Sequence, residues 1–124
     1  MKEVVLTKKE NNRTFGIKKE DFTKEQLKIL KEFAEWVKKN NIKSDVGVAI
    51  QGLDRYKVIN RINIYIRNKK FNIILKNVYC GGMWGADRIF QVLYSFEYLL
   101  SDLLGKEEFE HYKDYSLSNG YKLL

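Results

Sequence analysis

The chain has 124 residues, 44% apolar and 14% aromatic, which is enough for one domain with its own core and no disulfide or metal support. A single cysteine, Cys80, excludes an intramolecular disulfide framework and a multi-cysteine zinc site. The 23 basic and 16 acidic residues leave a net charge of +7, unevenly placed: residues 1–79 are strongly basic and residues 80–124 are net acidic.

The first element is an apolar run, Glu3 to Thr7, followed by a turn at Glu10-Asn11-Asn12 and a second run from Arg13 to Lys18. The pair reads as a hairpin, because asparagine tolerates the left-handed backbone of a tight turn. Thr23 to Gln26 then reads T-K-E-Q, a capping box in which each side chain satisfies the other residue's backbone N–H. Behind it Leu27, Leu30, Phe33, Ala34 and Val37 recur at helical spacing, while lysines fill the opposite face. A helix ending at Asn40-Asn41 follows from that pattern.

Val46 to Gln51 is a short strand, closed by Gly52. Tyr56 to Arg67 alternates at period two, with Val58, Ile62, Ile64 and Ile66 facing one way. Lys57, Ile59, Arg61, Asn63, Tyr65 and Arg67 face the other. Asn68-Lys69-Lys70 makes a turn, and Phe71 to Tyr79 returns with Phe71, Ile73 and Leu75 inward and Asn72, Ile74, Lys76 and Val78 outward. A glycine-broken stretch, Cys80-Gly81-Gly82-Met83-Trp84-Gly85, feeds a second helix. Its apolar arc runs through Ile89, Val92, Leu93, Phe96, Leu99, Leu100 and Leu103, and Gly105 is its natural stop. Lys106 to Tyr115 reads as a short acidic helix, and residues 116–124 as a loose tail.

The order is ββ-α-βββ-α-α over a single domain, residues 1–124. It predicts an α+β fold, an antiparallel sheet with two main helices packed on one face. The longest apolar segment carries charges throughout, and no stretch reaches the roughly 18 uncharged residues of a membrane span. The run Val4 to Leu6 is too short for a signal-peptide core, so a cytoplasmic protein is expected.

The outward hairpin face gathers Lys57, Arg61, Tyr65, Arg67, Asn72 and Lys76. Basic groups neutralise phosphates, a tyrosine ring stacks on a base, and an asparagine bonds to base edges. The same face carries Ile59, Ile74 and Val78, and apolar residues among basic ones suit a protein-docking surface equally well. A third reading is a solvated sheet face with no partner. Met83 and Trp84, among three glycines, form a second candidate, a binding anchor raised on a tight turn. Its alternative is ordinary core packing.

Cys80 stands where backbone N–H groups at a helix start lower a thiol pKa. Its one possible histidine partner, His111, falls in the acidic C-terminal stretch. A structural cysteine is the simpler reading, and no metal ligand set or cofactor motif is present in the sequence.

The α-β-β-β-α order from Thr23 to Leu104 is similar in outline to the double-stranded-RNA-binding domain. That family places lysines at the start of its second helix, where this chain has Met83-Trp84-Gly85-Ala86-Asp87-Arg88, so its binding residues are not carried over. In size, lysine content and lack of catalytic motifs the chain resembles small phage-encoded anti-CRISPR and anti-restriction proteins. Together these point to a non-enzymatic binding module without cofactors, a docking inhibitor or regulator of a protein that handles nucleic acid. Direct, sequence-independent RNA or DNA binding is the alternative, and a small enzyme using Cys80 the third.

Overall fold

A computed structural model describes residues 1–7, 17–40, 45–53, 55, 59–79, 85–105 and 122–123. The strands are β1 (Lys2–Thr7), β2 (Asp45–Leu53), β3 (Ile59–Arg67), β4 (Phe71–Tyr79) and β5 (Lys122–Leu123), and the helices α1 (Lys24–Asn40) and α2 (Gly85–Leu104). The fold is α+β as expected, and both helices pack on one face of the sheet.

The helix α1 starts as its sequence dictates. The Thr23 N–H donates to Gln26 Oε1 at 2.9 Å, and the Gln26 N–H donates to Thr23 Oγ1 at 3.1 Å, so two otherwise orphaned donors are satisfied. Gln26 Nε2 also donates to the Val5 carbonyl at 3.1 Å, which ties the helix start to β1. Leu30, Phe33, Ala34 and Val37 are buried, and Lys24, Lys28, Lys31 and Lys39 of the far face are exposed.

The strands β2, β3 and β4 form an antiparallel meander. Its second turn is closed by Asn68: the side-chain oxygen accepts the N–H groups of Lys70 and Phe71 at 2.8 and 2.9 Å. The Asn68 N–H donates to the Phe71 carbonyl at 3.0 Å. An asparagine side chain standing in for a backbone acceptor is what shapes this turn.

The sheet order is β1-β4-β3-β2-β5, and here the expected all-antiparallel sheet is corrected. The strand β1 runs parallel to β4, pairing Val4 with Ile73 and Leu6 with Leu75. Of the expected partner strand, Arg13 to Gly16 lie outside the described residues, and Ile17 and Lys18 are not in a strand. Pairing with β4 places Val4 and Leu6 on the core face, a larger apolar gain than a two-strand ribbon offers. Of residues 116–124, read as a loose tail, Lys122 and Leu123 pair parallel with Gly47 and Val48, and the others lie outside the described residues. The expected acidic helix, Lys106 to Tyr115, lies outside the described residues.

One core fills the space between sheet and helices. The strands contribute Ile62, Ile64, Ile66, Phe71, Ile73 and Leu75, and α2 contributes Ile89, Val92, Leu93, Phe96, Leu99 and Leu100. Phe33 meets Phe71 edge to face, with ring centroids 5.4 Å apart at 70°. Ser95 staples the chain before α1 to α2: its Oγ accepts the Ile17 N–H at 2.6 Å and donates to the Ile17 carbonyl at 3.0 Å. The helix α2 ends at Gly105, whose φ of +102° is left-handed backbone that glycine adopts without strain.

Candidate functional site

The alternation of β3 and β4 sends alternate side chains to the sheet face opposite the helices. The register then lines them up in rows across the strands. In one row Glu3 of β1, Asn72 of β4 and Arg67 of β3 are neighbours. In the next, Val5, Ile74, Tyr65 and Gly47 follow one another. Lys76 is in register with Thr7, and Arg61 lies further along β3.

The first row is bonded end to end. Arg67 Nε donates to Asn72 Oδ1 at 3.0 Å, and Asn72 Nδ2 donates to Glu3 Oε2 at 2.9 Å. The Arg67 guanidinium carbon lies 4.9 Å from the Tyr65 ring centroid, a cation–π geometry that links this row to the next. Val5, Ile74 and Tyr65 are each half-buried, so the second row is a short apolar strip beside a pinned arginine. Arg61 is half-buried as well, and Lys76 is exposed.

Of the sequence-predicted site residues, Arg61, Tyr65, Arg67, Asn72 and Lys76 therefore share the outward face. Lys57, Met83 and Trp84 lie outside the described residues, as do Cys80 and His111. Ile74 is outward as expected. Val78 is not in step: Ile62 pairs with Val78 but Ile64 with Leu75, so Asn63 faces two residues of β4, Lys76 and Asn77. That bulge puts Val78 in register with a residue of the core face.

Three features carry no clear signal in the sequence. Glu3 joins the site because β1 pairs with β4. Asn63, on the outward face, is only 7% exposed. On α2, Glu97 is only 7% exposed, a carboxylate at the margin of the apolar arc. Among the described residues no three His, Cys, Asp or Glu side chains gather as a metal site, and no helix is long and apolar enough to cross a membrane.

Compared with family models, curated proteins and solved structures, the chain matches none.

Proposed function

We propose that this protein is a non-enzymatic docking module that engages a protein partner through the outward sheet face. The observation that carries the reading is the Glu3–Asn72–Arg67–Tyr65 chain of contacts. It holds a guanidinium in place over an aromatic ring, beside the apolar strip of Val5 and Ile74. Arginine and tyrosine are the side chains that most often anchor protein interfaces, and a pinned side chain loses less entropy on binding.

The same contacts weigh against direct reading of nucleic acid. Both ends of the Asn72 amide are engaged, so it has little left to offer a base edge. Arg67 lies over the Tyr65 ring, where a base would stack. Glu3 brings a carboxylate into the row, opposite in effect to what a phosphate requires. The net charge of +7 suits a partner whose contact patch is acidic. The bulk resemblance to small phage-encoded anti-defence proteins supports a partner that itself handles nucleic acid.

The discriminating experiment is a salt titration of binding to single- and double-stranded oligonucleotides, for the parent and an Arg61/Arg67/Lys76→Ala variant. Expected is weak binding in the non-specific range, a Kd of about 10⁻⁴ to 10⁻⁶ M at physiological salt. Tight binding whose log K against log salt slope flattens by about two to three units in the variant would instead establish direct phosphate contact by this face.

A further inference from the structure

The sheet ends, at the β3–β4 turn, in a groove of about 530 Å³ on the helix side, around the corner from the outward face. Its floor is Phe71 and the half-buried Trp36, whose rings meet at 6.5 Å and 64°. Met1 and Lys2 form one wall, fixed where the Lys2 N–H donates to the Lys70 carbonyl at 2.8 Å. Glu32 of α1 also lines the groove and pairs with the Lys2 ammonium, so its charge is already answered. Lys69 and Lys70 are both exposed on the rim, and neither ammonium has a partner among the described residues.

We propose that this groove binds an acidic peptide segment that inserts an apolar side chain between Trp36 and Met1 and sets its carboxylates against Lys69 and Lys70. The charge left over in the groove is positive, and it sits on the rim above an apolar floor, the arrangement that a carboxylate next to an aliphatic or aromatic side chain complements. The volume falls in the range of small-ligand sites, about 300–1,000 Å³, and holds an anchor side chain rather than a chain of bases. Trp36 meets Phe71 at a steep angle and is half-buried, which suits contact with an inserted side chain better than a nucleobase stack. Met1 adds a flexible, polarizable wall that adapts to the shape of such an anchor. The groove uses none of the outward-face residues, so it stands independently of the sheet-face reading.

Heteronuclear NMR titration of the full chain tests the site, with an N-acetylated peptide EELFEE, its glutamine counterpart QQLFQQ, and a short oligothymidylate as probes. The acidic peptide is expected to shift the Trp36 indole and Lys69–Phe71 amide signals saturably. The glutamine peptide should bind roughly tenfold more weakly, and a Lys69→Glu/Lys70→Glu variant should abolish the difference. Arg67→Ala should leave peptide binding unchanged, which separates this site from the sheet face. Equal binding of the two peptides, absence of any shift at Trp36, loss of peptide binding in Arg67→Ala, or saturation of these signals by the oligothymidylate alone would each overturn the proposal.

Discussion

Phe33→Ala is expected to lower the stability of the protein by about 3–5 kcal/mol, a large part of the total of about 5–15 kcal/mol typical of a single domain. Phe33 is wholly buried, and its ring packs edge to face on Phe71, the first residue of β4. Truncation leaves a cavity where α1 meets the sheet, and the surrounding strands are too constrained to collapse into it. Urea denaturation followed by circular dichroism measures the loss, with Lys31→Ala on the exposed face of the same helix as the control. A Phe33→Ala midpoint within error of the Lys31→Ala midpoint would mean that α1 does not seat on β4.

Arg67→Ala is expected to weaken partner binding by about 2 kcal/mol, or roughly thirtyfold, while changing stability by less than about 1 kcal/mol. The side chain is exposed, so the fold loses little. The interface loses an anchor held by Asn72 and set over Tyr65. Because Asn72 acts by holding Arg67, Asn72→Ala should weaken binding by less, and the double variant should bind no worse than Arg67→Ala alone. Such non-additivity is the signature of residues in one network. Additive losses in calorimetric titration would show that the two side chains act separately, and an Arg67→Ala variant with unchanged affinity would remove this face from the interface.

Local chemistry was readable in the sequence wherever both partners of an interaction lie within a few residues. The Thr23–Gln26 capping box, the Asn68 turn and the stop at Gly105 each came out as the spacing implies. So did the alternation that puts Arg61, Tyr65 and Arg67 on one face, since period two is a property of the strand itself. The partner of β1 was not readable in the same way. Val4 and Leu6 mark β1 as half-buried but say nothing of which strand lies beside it, and the nearby turn signal at Glu10-Asn11-Asn12 favours the local partner. Pairing with β4 instead brings Glu3 to Asn72 across 69 positions of sequence, and with it the contact that organises the site.

The bulge opposite Asn63 escaped for a related reason. An inserted residue breaks the alternation without altering composition, so Val78 reads as outward although its register is with Ile62. The burial of Glu97 likewise depends on what packs against α2, beyond the reach of helical spacing. The groove at Trp36 needs three separate segments, β1, α1 and the β3–β4 turn, to meet at one end of the sheet.

The most direct test of docking through the outward face is site-specific photo-cross-linking in the native host. A benzophenone side chain is placed at Ile74 in the centre of that face, and in a separate variant at Gln91 on the exposed side of α2. The lysate is treated with nuclease before analysis. A discrete protein adduct is expected from position 74, surviving nuclease and lost when Arg67→Ala is combined with it, with none from position 91. Adducts that consist only of nucleic acid, or the same protein adduct from both positions, would contradict docking through this face.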